Sequence, residues 1–320
     1  MLSKQLLWRQ RNVRTMGTSS LRAFLIGEEL EPRWVPADFT WNPLSAASKV
    51  DGFWFWNTAA NWKENVGGVW TQPAPAVPGA GDSVTFATAT GQSSKACVVN
   101  AGVKVDDLTI NGYGGAISLV GSFTVIGSLY MDGNPAPIMR GENPKTGAIT
   151  NGPLNIGNPL VTSSSANFYW YEGSLENLSV NVQAGATLTA GPSLPGTRPN
   201  LQMTGTQLNI SGTLVWKNLN ITTGPASGIQ INQGGLFTIA AMFRTWGTDP
   251  AFLKIVNQGT VTSVTSTTID GSYSTSGTTN LNAGMLTLSG SAIQNGDSAT
   301  FNLNSGSINL GSSGFAVGEK

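Results

Sequence analysis

No histidine occurs anywhere in these 320 residues, and cysteine occurs once, at Cys97. The first absence removes the usual general base at neutral pH, the Ser-His-Asp and Cys-His nucleophile systems, and every imidazole metal site. The second rules out an internal disulfide, and the setting Ala-Cys-Val-Val reads as a buried strand position rather than a reactive thiol. Charge is scarce as well. Asp, Glu, Lys and Arg make up 11% of the chain, with 17 cations against 17 anions, where an average soluble protein carries roughly 25%. Such a chain offers no basic face to a nucleic acid. No apolar run approaches the roughly 20 residues that cross a membrane as a helix. Windows with a helical period are missing after the N-terminus, so long helices are not expected. No P-loop, no Gly-x-Gly-x-x-Gly opening a helix and no Asp-rich calcium loop occurs, so neither cofactor nor metal is expected.

What the chain does have is glycine, 40 residues of it, and a short pattern that recurs around it. A Gly is followed by apolar residues two and four positions on: Gly127-Ser-Leu129-Tyr-Met131, Gly152-Pro-Leu154-Asn-Ile156, Gly212-Thr-Leu214-Val-Trp216, Gly235-Leu-Phe237-Thr-Ile239, Gly284-Met-Leu286-Thr-Leu288 and Gly306-Ser-Ile308-Asn-Leu310. Gly259-Thr-Val261 is a partial copy, with Ser263 in the second apolar place. From Gly212 onward the steps are 23, 24, 25 and 22 residues, and Gly127 to Gly152 is another 25. A further match, Gly121-Ser-Phe123-Thr-Val125, falls out of phase and reads as background. A turn residue followed by two inward apolar residues, at this period, predicts a chain wound into stacked coils. Residues 102–314 at about 24 per coil give roughly nine coils, a stack of about 40 Å. An antiparallel β-sandwich pair is the alternative fold, although its hairpins would repeat every 8–12 residues or so.

Residues 1–37 stand apart. They carry six cations and three anions, with Lys4, Arg9, Arg11, Arg14 and Arg22 ahead of any acid, then a short apolar patch at Ala23–Ile26. A disordered basic targeting leader is expected there. Within it, Glu29-Leu30-Glu31-Pro32-Arg33-Trp34-Val35-Pro36-Ala37 resembles the L-E-D-R-x-x-P-A signature near the N-terminus of large secreted or surface proteins of planctomycete-type bacteria, with Pro32 in place of the usual Asp. Residues 38–90 hold five of the ten tryptophans. The run from Trp54-Phe-Trp56-Asn57 through Ala60-Asn61-Trp62 to Val77-Pro78-Gly79-Ala-Gly81-Asp82-Ser-Val84-Thr-Phe86 is similar to the entry module of autotransporter-passenger-like β-helix proteins. The resemblance continues through Phe168-Tyr-Trp170-Tyr-Glu-Gly173 and Gln183-Ala-Gly185-Ala-Thr-Leu188 to Asn304-Ser-Gly306. It implies an all-β chain: a right-handed parallel β-helix over 91–320 behind a Trp-rich N-terminal cap at 38–90. Further coils usually follow in such proteins, so the C-terminal end is expected to be incomplete or uncapped, and copies to associate end to end.

Two functions suit the tryptophans. Trp54, Trp56, Trp62 and Trp70 could stack on sugar rings as a glycan-contact patch, or they could plug the open end of the solenoid, which every solenoid needs. The second is favoured. Acids in the body are few, and Asp106-Asp107 is the one adjacent pair. Strand neighbours point to opposite faces, so these carboxylates are expected not to converge into a catalytic pair. Two Pro-rich stretches, 134–145 and 192–199, read as loops thrown out from a coil; they carry Arg140 and Arg198, which could share a face. The favoured function is a non-enzymatic, adhesin-like structural protein outside the cell or on its surface, meeting glycan, matrix or other surface proteins. The alternatives are a polysaccharide lyase or hydrolase, which would need an Asp/Glu cluster at one level, and a glycan-binding module built on exposed, coplanar indoles.

Overall fold

The computed structural model describes residues 36–43, 49–87, 95–160, 165–192, 201–217, 219–240, 243–246, 253–269, 271–288, 293–295, 298–309 and 316–317. Contacts divide the chain into two units, Met1–Trp34 and Val35–Lys320. The expected basic leader therefore falls almost wholly outside the described residues, as do Arg198 and most of the second Pro-rich loop.

Among the described residues, unit Val35–Lys320 is all-β apart from one short 3-10 turn at Ala59–Asn61. Its strands form three long sheets of 13, 10 and 11 strands. The chain visits them in rotation: Asp107–Asn111 in the first, Ala116–Leu119 in the third, Phe123–Val125 in the second, then Ser128–Asp132 back in the first. Successive visits pair in parallel, Leu108 with Leu129 and Phe123 with Leu154. This is a parallel β-helix, as expected. Leu286 lies beside Ile308 in one parallel ladder, which an antiparallel sandwich would not allow. From Asp107–Asn111 to Thr300–Leu303 the 13-stranded sheet contains nine rungs, matching the coil count read from sequence.

The repeat itself means something different from what its period suggests. Gly127, Gly212, Gly235 and Gly259 open strands of the 13-stranded sheet, Gly152 a strand of the 10-stranded sheet, and Gly284 and Gly306 strands of the 11-stranded sheet. The motif marks corners of all three sheets, not one point per coil. The out-of-phase copy at Gly121 is a genuine corner too, with Phe123 and Val125 fully buried. Coil length is uneven: 18 residues separate Val261 from its partner Thr279, and 39 separate Leu129 from Phe168. The longest coil takes in the first Pro-rich stretch, whose Glu142–Asn143 and Ala148–Ile149 form a small antiparallel hairpin. Surplus residues go to corners because strand register fixes everything else.

Glycine is required at these corners because consecutive coils touch there. Leu236, Thr260 and Thr278 donate backbone hydrogen bonds of 2.9 Å to the carbonyls of Gly212, Gly235 and Gly259, one coil back. A β-carbon on Gly235 would overlap the carbonyl oxygen of Ile210, and one on Gly259 that of Gly235.

Inside, the alternation of period two sends one residue in two to a single continuous core. Leu129, Leu154, Leu214, Phe237 and Leu286 are buried, and Ile308 is partly buried against the same cluster. Cys97 is completely buried on a central strand, and burial pushes its thiol pKa well up, as its sequence setting suggests. Where Ser263 replaces an apolar residue, its hydroxyl donates to the Thr265 carbonyl at 2.8 Å and meets the Thr267 hydroxyl at 3.1 Å.

The tryptophan-rich segment is built into the first coil rather than set beside it. Strand Asp38–Trp41 pairs in parallel with Ser83–Ala87 and antiparallel with Trp62–Val66, which turns back as Val69–Thr71. The antiparallel hairpin thus covers the leading edge of the 13-stranded sheet, an edge that would otherwise template further strands. The bare C-terminal end expected from the sequence concerns residues 310–315 and 318–320, outside the described residues.

Candidate functional site

The core is filled from Phe39 to Leu288, so ligand chemistry belongs to the outer faces of the sheets and to the cap. The cap tryptophans are turned mostly inward. Trp41, Trp56 and Trp62 are each at most 2% exposed, and Trp62 meets Trp41 and Trp56 edge to face, with centroids 4.9 and 4.7 Å apart. Each indole N–H has a backbone acceptor: Trp62 to the Trp56 carbonyl at 2.7 Å, Trp56 to Pro78 at 3.2 Å, Trp41 to Lys95 at 3.0 Å. Asn61 of the Asn-Trp pair donates to the Phe55 carbonyl at 2.9 Å. Trp56 and Trp62 therefore have no ring face for a sugar. Trp54 is half-buried with the Lys49 ammonium 4.1 Å above its ring. Of the four proposed glycan contacts, only Trp70, on the hairpin tip with Val66 and Val69, is half exposed. The four do not make one coplanar patch.

Asp106 and Asp107 depart from expectation. A β-carbon placed on Gly127 would lie 2.6 Å from Asp107 Oδ1 and 3.1 Å from Asp106 Oδ1, so both carboxylates reach one point on the next coil. The alternation rule fails because Asp106 sits in the bend before strand Asp107–Asn111 and is not part of the ladder. Partial burial, and then the neighbouring Asp107 charge, raise the pKa of Asp106. Asp107 Oδ1 accepts the Ser128 N–H at 2.6 Å, which gives this acid a structural task.

On the 11-stranded sheet, a cleft of about 180 Å³ lies between the 136–138 segment and Gly173, Ser174, Glu176 and Gln202. Arg140 and Glu176 are register partners at its edge. Ser174 donates to Glu176 Oε1 at 3.1 Å, and Arg140 Nη1 is 3.9 Å from Glu142 Oε2. The guanidinium Nε is buried without a partner. Glu176 is the one ionisable side chain lining the cleft, and the Arg140–Glu142 pair lies outside that lining.

Three of the five tyrosines, none of them singled out by the repeat, lie together: Tyr130 and Tyr169 on strands of the 13-stranded sheet, and Tyr171 directly after the second of those strands. Tyr130 and Tyr169 are register partners on consecutive rungs, with rings stacked at 4.5 Å and 21°. Tyr171 leans on Tyr169 at 5.8 Å. Burial first, then the neighbouring phenols and acids, raises the pKa of Tyr130 and Tyr171 and keeps both as phenol donors. The clue was in the strings Leu-Tyr-Met and Phe-Tyr-Trp-Tyr: a tyrosine flanked by two inward residues must face out.

Among the described residues no cluster of three metal-ligating side chains occurs, and no helix is long and apolar enough to cross a membrane. No family model, curated protein or solved structure matches the chain.

Proposed function

We propose that this chain is a non-enzymatic, adhesin-like structural protein of the cell exterior, a β-helix whose outward sheet faces meet matrix, glycan or neighbouring surface proteins. The observation that carries this reading is the continuity of the stack. One apolar core runs through all coils from Phe39 to Leu288, while the outside is joined rung to rung by uncharged side chains. Asn209 donates to Asn181 and Asn181 to Asn155, each at 2.9 Å. Asn302 donates to Asn280 and Asn304 to Asn282 at 2.8 Å. Such ladders stiffen a rod and leave a hydrogen-bonding surface of low charge. The resemblance of residues 29–37 to the signature of exported proteins supports the location. Fractionation of the native cells tests it: the protein is expected outside the cell or on its surface, and a cytoplasmic pool would refute the reading.

A second reading, a polysaccharide-acting β-helix enzyme, is favoured by one observation, the convergence of Asp106 and Asp107 beside Gly127. Glycoside hydrolysis with two carboxylates needs them to flank the scissile bond. Here one is already tied to a backbone N–H. Turnover of a polysaccharide that Asp106→Asn abolishes, with the fold intact, would move the assignment to this second reading.

A further inference from the structure

We propose that the tyrosine ladder of the 13-stranded sheet is a binding site for a neutral saccharide chain, with a sugar ring lying against the free face of Tyr130. The inference deepens the reading of the outer faces as contact surfaces, which a ligand-free rod would equally satisfy.

The geometry begins with what the neighbouring rungs hold. Along the outward row, Thr85, Thr109, Tyr130, Tyr169 and Thr189 are successive register partners. Two tall rings thus rise between short threonines. One face of Tyr130 lies on Tyr169, and the other looks over Thr109, where among the described residues no ring meets it. Tyr130 is 39% exposed. The result is a notch with an aromatic wall and a threonine floor. A sugar ring, which has a flat face of C–H groups and hydroxyls at its rim, fits an arrangement of this kind.

Polar groups stand at both ends of the notch. Asp107 is diagonal to Tyr130 on the preceding rung, and Asp132 follows two residues later on the same strand and side, beside its partner Asn111. Asp107 Oδ1 is occupied by the Ser128 N–H and Asp132 Oδ1 by the Gly133 N–H at 2.8 Å. Among the described residues the second oxygen of each carboxylate has no partner and is left for a hydroxyl donor, and the Tyr130 and Tyr171 hydroxyls stay protonated.

Charge selects among saccharides. The outward residues of the five rungs around the ladder are Ser, Thr, Asn, Ala, Tyr and Asp, without a lysine or arginine. A uronate or sulfated chain would meet two carboxylates and no cation. A quaternary ammonium is not the better occupant, because it needs rings converging around one point. Tyr130 and Tyr169 are stacked on each other and do not converge.

The test uses the full chain and neutral hexasaccharides of glucose, mannose and xylose, with a hexauronate as the charged comparison, followed by calorimetry and by chemical-shift changes. The substitutions Tyr130→Thr and Tyr169→Thr continue the threonine row, so the strand keeps its β propensity, and a thermal melt checks the fold. At least one neutral probe is expected to bind, about tenfold or more weaker in Tyr130→Thr. Tyr130→Phe should retain most of the affinity. Trp70→Ala should leave it unchanged. The proposal is overturned if no neutral probe binds, if the hexauronate binds better, if folded Tyr130→Thr and Tyr169→Thr bind like the parent, or if Trp70→Ala alone abolishes binding. Failure on any of these arms leaves the exterior structural reading standing, since that is decided by fractionation and by turnover.

Discussion

Asp82 holds Ala37 across 45 residues of sequence: its Oδ1 accepts the Ala37 N–H at 3.0 Å, while Oδ2 accepts the Gly79 N–H at 2.8 Å. One carboxylate therefore shapes the Pro-Gly turn and fastens the start of the first strand to it. A hydrogen bond to a charged acceptor contributes about 1.5–3 kcal/mol. Asp82→Ala is expected to destabilise the protein by about that amount in urea unfolding, and Asp82→Asn by less, since an amide keeps one acceptor oxygen. An unchanged midpoint for Asp82→Ala would mean that the first strand is held by its ladders alone.

The cap gives a sharper contrast. Trp62 is fully buried between Trp41, Trp56 and Phe86, and Trp70 is half exposed on the hairpin. Trp62→Ala is expected to cost about 3–5 kcal/mol, the range for truncating a buried aromatic. Trp70→Ala should stay within about 0.5 kcal/mol of the parent. Denaturant melts of the two variants decide whether these tryptophans plug the stack. Equal effects would argue against it.

Much of this architecture was legible in the sequence, and the reasons are local. A glycine followed by two apolar residues two apart states a turn and an inward face, which is why Leu129 and Leu214 are buried as expected. Which of three sheets a strand joins is not local. Gly259 and Gly284 look like one repeat step, yet Val261 pairs with Thr279 and Leu286 with Thr267. Asp106 and Asp107 escaped the alternation rule because Asp106 lies in the bend ahead of the strand, outside the ladder that carries Asp107. The tyrosine ladder needed registry across 39 residues between Tyr130 and Tyr169, created by an insertion whose length no pattern announced.

Alkaline pH should single out Tyr273. It is completely buried, its hydroxyl lies 2.6 Å from that of Thr279, and burial pushes its pKa up to about 12 from the ordinary value of 10. The folded state thus holds the phenol proton more tightly than the unfolded state does. The stability linked to that proton is complete below pH 10 and is lost as pH rises from about 10 to about 12, a loss of about 2–3 kcal/mol. Tyr273→Phe should flatten this part of the stability profile. Tyr113, also buried and raised, should contribute in the same direction and remain after the substitution. Urea midpoints across the alkaline range provide the measurement, and an unaltered slope in Tyr273→Phe would count against the buried phenol.

Hydrogen exchange should rank the rungs. Strand Thr213–Trp216 is paired on both sides, with Thr187–Ala190 and Leu236–Ile239, and Leu214 is fully buried. Strand Thr300–Leu303 pairs with Thr278–Leu281 and, among the described residues, with nothing beyond. In a parallel ladder alternate amides point to opposite neighbours. Thr300 and Asn304 donate back to Gly277 and Leu281 at 3.0 Å, so the Leu303 N–H points away from the stack, and Leu303 is 55% exposed. The Leu303 amide is expected to exchange fast, Thr300 more slowly, and Leu214 only with large-scale opening. Protein concentration then distinguishes the two ways this order could fail. Protection of Leu303 that grows with concentration would show that a second copy has added its strand to this edge, the end-to-end contact expected of an open β-helix. Protection equal to that of Leu214 in dilute solution would mean that the chain covers the edge itself, and the expected bare end would be wrong.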